Sequence, residues 1–131
     1  QLEAREEIQG KRRHIWEYYQ ANLCAWAEDN CVRLPIIPAH CDQSYHMFYM
    51  LLPTLEARTA FIDHLKANSI LSVFHYLPLH LSDMGVRFGG RAGDCPVTEH
   101  VSDRLVRLPF YNNLSESEQA TVVETILSFS V

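Results

Sequence analysis

The residues best suited to chemistry lie in one short run, His75-Tyr76-Leu77-Pro78-Leu79-His80. Two imidazoles and a phenol this close together can donate and accept hydrogen bonds and exchange protons near neutral pH. An ionisable turn at the end of a rigid strand is a common way to present a site. The same side chains could equally cap neighbouring elements or fill core, and the run alone does not separate the two uses. His80 is the foremost candidate because it lies beyond the strand end and its proline. His75 and Tyr76 point to opposite faces if the strand persists, which would make one of them core. His46, at the head of a second apolar run, either packs structurally or joins the same surface. Arg87 and Arg91 stand in a glycine-rich stretch (LSDMGVRFGGRAGD, 81–94), and guanidinium groups are natural partners of phosphate.

Other chemistries find little support. Ser72 and Ser82 lack the glycine-flanked strand-to-helix turn of a serine nucleophile. There is no GxxxxGK[ST] phosphate loop, and the carboxylates fall mostly on polar helix faces rather than in an opposed pair. The only lysines, Lys11 and Lys66, sit on polar helix faces, so neither reads as a desolvated Schiff-base lysine. His40, Cys41 and His46, with His75, are the set from which a small metallohydrolase could be built. The paired spacing of structural zinc is absent, and no metal is assigned. Cys24, Cys31, Cys41 and Cys95 show no CxxC pattern and read as buried free thiols in a reducing compartment.

A chain of 131 residues with 47% hydrophobic and 21% charged residues suits one globular domain with a real core. The formal net charge of -5 argues against nucleic acid as a partner. The basic cluster Lys11-Arg12-Arg13 is surrounded by glutamates and reads as a solvated helix face, with Glu7 and Lys11 one turn apart. No apolar run approaches the ~20 residues of a membrane span, and no signal peptide is visible, so a cytoplasmic protein is expected. The start at Gln1 suits a piece of a longer protein.

The elements that would position these residues follow from periodicity and punctuation. Residues 2–28 read as one long helix with Ile15, Tyr19, Leu23 and Trp26 on its apolar stripe, an aromatic surface in need of a partner. Residues 31–44, with Pro35 and Pro38, read as an extended connection. The run from His46 to Leu52 suggests a strand buried on both faces. Thr54 caps a helix over 55–67, which Asn68 would end in a left-handed conformation. A buried strand over 70–76 leads into the histidine turn. Glycines then make 81–94 a mobile loop or an anion-binding lid. A helix over 95–104, capped by Asp94, would bury Val97, Val101 and Leu105. A strand over 106–110 and a final helix opened by the capping box Ser115–Glu118 complete the chain. The fold class is therefore α/β (α+β), a small mostly antiparallel sheet of about three strands with flanking helices.

Four stretches, YHMFYMLLP, LEARTAFIDHLKANSI, SVFHYLPLH and VTEHVSDRLVRLPFYNNLSESEQATVVETI, together resemble the C-terminal small domain of the DegT/DnrJ/StrS sugar-nucleotide aminotransferases. The resemblance covers nearly all of the chain. It implies the small domain of a fold type I pyridoxal-phosphate transferase, with residues 1–30 a connecting helix, residues 31–131 an α/β subdomain, and the large cofactor-binding domain absent. It implies a homodimer in which glutamate supplies an amino group to the 4-keto carbon of a nucleotide-linked 4-keto-6-deoxy sugar. By similarity, His80, His75 and Tyr76 face that substrate and Arg87 meets its phosphate, while no catalytic residue can be assigned to this chain. The competing reading is an interaction module that docks a partner through its aromatic N-terminal helix.

Overall fold

The computed structural model describes residues 3–131. Its elements are α1 (Arg5–Asp29), β1 (Tyr49–Leu51), α2 (Leu55–Ala67), β2 (Val73–Phe74), α3 (Asp83–Arg87), α4 (Pro96–Arg104), β3 (Leu105–Arg107) and α5 (Glu116–Leu127), with a 3-10 turn at Leu79–Leu81. The strands form one antiparallel sheet in the order β1-β3-β2. The last strand in sequence is thus the central one. Tyr49 and Val73 flank Arg107, and Met50 and Phe74 flank Val106. Helices packed on a small antiparallel sheet are the architecture expected from the element order.

Helix α1 forms as its periodicity predicts, although Leu2 lies outside the described residues. Ile15, Tyr19, Leu23 and Trp26 recur at helical spacing and are all buried. Its opposite face carries the one-turn pairs Lys11–Glu7 at 2.6 Å and Arg13–Glu17 at 2.7 Å. The aromatic stripe needs no outside partner. Trp16 meets Tyr45 and Phe48 edge-on, Tyr19 packs on Phe48, and Trp26 packs on Phe61. Their polar ends are largely answered as well: the Tyr19 hydroxyl donates to the Pro109 carbonyl and Trp26 Nε1 donates to that of Phe129. Gln119 of α5, only 1% exposed, donates to the Ile15 carbonyl at 2.6 Å. The docking-module reading fails on this packing, because the surface it required is the chain's own core.

Several expected elements are shorter than their apolar runs. The buried strand over 70–76 is two residues long, and both Val73 and Phe74 remain more than a third exposed. Lying at the sheet edge, β2 has a strand on one side only. The run from His46 to Leu52 likewise yields a three-residue edge strand. Phe48, Met50 and Leu52 are sealed in the core, while His46 is exposed and Tyr49 half-buried. Leu51 is buried because Arg33 of the 31–44 connection pairs with it as a bridge. The third strand ends at Arg107, although the Leu108 amide still donates to the Phe48 carbonyl.

The local caps at Thr54 and Ser115 form as read, the latter as a full capping box with Glu118. Two others do not. Asn68 has φ -96°, and Ser69 takes the left-handed turn at φ 61°. Asp94 accepts from the Arg91 amide instead of capping α4, whose first turn is served by Glu99. Helix α4 buries none of its residues, and Val97 is 76% exposed. All four cysteines are exposed, which corrects the expectation of buried thiols. Each lies in a helix face or connection that the core does not cover.

Candidate functional site

Beyond Phe74 the chain leaves the sheet and turns. Pro78 has no amide hydrogen to continue a ladder, and its carbonyl accepts from Leu81 at 2.9 Å to start the 3-10 turn. Ser82 then caps α3, its hydroxyl accepting from the Gly85 amide at 3.0 Å. The glycine-rich stretch expected to be a loop or lid is therefore partly helical.

Two of its glycines are there for contact rather than freedom. A Cβ on Gly85 would sit 2.1 Å from the Leu79 carbonyl oxygen, and one on Gly90 would sit 2.3 Å from that of His80. Only a residue without a side chain lets these backbones meet. The Gly90 amide closes the arrangement by donating to the Gly85 carbonyl at 3.0 Å. His80 is thus held from behind by packed main chain.

Its ring is held from the other side by α4. His80 Nε2 lies 2.8 Å from Glu99 Oε1, with the two side chains only 15% and 22% exposed. The same carboxylate accepts the amides of Gly93 at 2.9 Å and Cys95 at 3.3 Å. Glu99 joins the histidine turn, the glycine stretch and the start of α4 at one point. The His80 bond first, and the backbone amides with it, hold this carboxyl below the usual glutamate range. Sequence reasoning passed over Glu99. Its separation of 19 residues from His80 offers no local signal, although an acid in the first turn of a helix is a recognisable one.

His75 and Tyr76 lie just past the end of β2, so strand alternation does not govern them. Neither is core: Tyr76 is 73% exposed and His75 half-buried, with their rings edge-to-face at 4.7 Å. They border a shallow depression of about 290 Å³ whose other side is the outward face of α4, including Val97 and Val101, with Leu105 at the start of β3. Ser102 of α4 donates to the Tyr76 carbonyl at 3.0 Å and fixes this rim. Burial, with the nearby Arg107 guanidinium, pushes the His75 imidazole below its ordinary value. Arg107 is a second residue that sequence reasoning missed. Among the described residues it has no carboxylate partner, and its Nε, like His75 Nδ1, is buried without a hydrogen bond. Its neighbours Val106 and Leu108 face the core, so alternation alone would have turned it outward.

The other candidates are scattered. Arg87 is exposed at the end of α3, the helix packed against the His80 turn. His46 is exposed with Nδ1 2.9 Å from the Ser44 hydroxyl, and it shares a separate depression of about 220 Å³ with Cys41. Among the described residues no group of three or more His, Cys, Asp or Glu side chains is placed to hold a metal. None of the described helices is long and apolar enough to cross a membrane.

Residues 1–127 match the DegT/DnrJ/EryC1/StrS aminotransferase family. The chain belongs to that family. A UDP-N-acetyl-3-dehydro-alpha-D-glucosamine 3-aminotransferase of Acidithiobacillus ferrooxidans is 33% identical over 104 residues, covering 77% of this chain and 27% of that protein. Among solved structures, the aminotransferase TlmJ of Streptoalloteichus hindustanus is 27% identical over 97% of this chain and 33% of its own, with a TM-score of 0.83. The PLP form of Spr1654 from Streptococcus pneumoniae, described as a sugar aminotransferase, is 21% identical. It covers 97% of this chain and 32% of its own at a TM-score of 0.85, a likeness of fold. The chain spans between 26% and 33% of the length of the curated relatives it matches. Family membership and the common fold place the His80 turn within the region equivalent to roughly one third of an aminotransferase.

Proposed function

We propose that this chain forms one wall of the substrate site of a pyridoxal-phosphate-dependent sugar-nucleotide aminotransferase, with His80, His75 and Tyr76 toward the sugar nucleotide and Arg87 toward its diphosphate. The observation that carries the reading is the His80 turn itself. It is an ionisable side chain held rigidly by Glu99, Gly85 and Gly90 and next in the chain to the exposed Leu79, while His75 and Tyr76, earlier in the same run, border the depression against Val97. A fixed imidazole can orient a bound sugar for attack at one carbon, which is worth much of the barrier in a two-reactant step.

The finer reading, supported by the sequence motifs, is transfer of an amino group from glutamate to the 4-keto carbon of TDP-4-keto-6-deoxyglucose. The product would be TDP-4-amino-4,6-dideoxygalactose, which feeds cell-surface polysaccharides such as enterobacterial common antigen. The working protein is then a cytoplasmic homodimer in which residues 1–30 connect to a larger domain and residues 31–131 form the small one. The cofactor supplies the amino-carrying carbonyl chemistry. The lysines of this chain do not fit it: Lys11 is paired with Glu7 on α1, and Lys66 is exposed near the end of α2, neither lining the His75 depression. The cofactor lysine is therefore assigned to residues outside this chain.

The test is His80→Ala in the full-length protein. The expected outcome is a loss of about tenfold to a hundredfold in kcat/KM for the nucleotide-linked keto sugar, the size of one substrate hydrogen bond, with thermal stability nearly unchanged. Unaltered kinetics with that substrate would remove His80 from the site.

A further inference from the structure

We propose that Glu99 is a positioning residue that fixes His80 as the Nε2–H tautomer, so that the ring presents Nδ1 to the substrate as an acceptor for a sugar hydroxyl. The inference rests on the reading of His80 as a substrate contact and names the part of the substrate it takes.

The tautomer follows from the partners of the carboxylate. Glu99 Oε1 accepts from the amides of Gly93 and Cys95, and Oε2 lies 3.0 Å from the Gly93 amide. A carboxylate serving several donors is ionised and can only accept. The ring nitrogen facing it at 2.8 Å must therefore carry the hydrogen. A neutral imidazole has one N–H, so Nδ1 is left with a bare lone pair.

That lone pair is available. Among the described residues Nδ1 of His80 has no hydrogen-bond partner, yet it is not among the polar atoms sealed from solvent. His75 offers the opposite case, with its Nδ1 buried. The main chain behind His80 packs against Gly85 and Gly90, and Glu99 holds the Nε2 edge of the ring.

The chemistry then discriminates within the substrate. A hydroxyl can donate to a lone pair, whereas the ionised oxygens of a diphosphate only accept and would be repelled by it. His80 in this state reads the sugar, not the phosphates. Replacing Glu99 with leucine removes the acceptor and with it the bias, whereas a glutamine, its oxygen held by the Gly93 and Cys95 amides, keeps it.

Nitrogen NMR of the imidazoles in the 131-residue chain, at a pH where the rings are neutral, reads the tautomer directly. The expected result for His80 is a protonated Nε2 and a bare Nδ1, moving to a mixture in Glu99→Leu and retained in Glu99→Gln. A His80 ring protonated on Nδ1 would overturn the assignment to Glu99, while leaving the His80→Ala experiment above to decide the contact itself. Binding of TDP-glucose and of TDP to the full-length protein is the second readout. Glu99→Leu is expected to weaken TDP-glucose about tenfold, the loss of one hydrogen bond, and to leave TDP unchanged. Equal losses for both ligands would mean that Glu99 is merely structural. No loss for either, with the tautomer mixed in Glu99→Leu, would show that His80 does not read the sugar.

Discussion

In the core, Tyr19 packs on Phe48 and Phe61 packs on Trp26 and Phe129, with Tyr19, Phe48 and Phe61 wholly sealed from solvent. Around His80 the picture is reversed. The 3-10 turn, α3 and α4 bury none of their side chains, and Leu79 and Phe88 are each 85% exposed. The first region is held by apolar burial, with about 1.5–3 kcal/mol for each fully buried large side chain. The second is held by backbone approach at two glycines and by one carboxylate with several donors. A site region built this way keeps its apolar surface free for ligand or neighbouring protein, because its own rigidity does not depend on covering that surface.

That contrast can be tested by weakening each region in turn. Phe61→Ala opens a cavity among Trp26, Phe129 and the sheet, and denaturant unfolding is expected to show a loss of about 3–5 kcal/mol. A loss below about 1 kcal/mol would mean that the aromatic cluster relaxes freely and is not the main support.

Gly85→Ala drives a Cβ into the Leu79 carbonyl, an overpacking worth about 1–3 kcal/mol. Hydrogen exchange should then loosen residues 79–99 while the amides of α1 and α5 keep their protection. Equal loosening of both regions would make them a single cooperative unit and end the distinction.

The smallest effect is that of acid. The folded-state value of Glu99 is depressed, so its contribution is complete above the ordinary glutamate value and is lost as pH falls through the lower folded one. Corrected for intrinsic exchange, protection of the Gly93 and Cys95 amides should fall in that acidic window. The Leu65 amide, in the sealed stretch of α2, should be unaffected. Glu118, depressed by its own capping box, is expected to release the Ser115 amide in the same direction, without disturbing Val122 or Ile126.

Much of the fold was legible because its signals are local. The apolar spacing of Ile15, Tyr19, Leu23 and Trp26, the Thr54 cap and the Ser115–Glu118 box each depend on residues within one or two turns. The strands were read too long, since a run such as His46–Leu52 records burial without recording how many partners the strand has. Glycine was misread for a related reason. In sequence, Gly85 and Gly90 look the same whether they give freedom or allow contact, and only the neighbouring carbonyls decide.

The candidate site divides the same way. Composition and short-range spacing carried the four longer helices, the caps at Thr54 and Ser115, the presence of a small antiparallel sheet, and the His75–His80 run as the chemically richest stretch. Only the tertiary packing set β3 between β1 and β2, placed Arg107 beside His75 with no carboxylate partner among the described residues, and brought Glu99 to His80. Those facts join residues far apart in the chain, and no periodicity in a single sequence encodes which distant groups will meet.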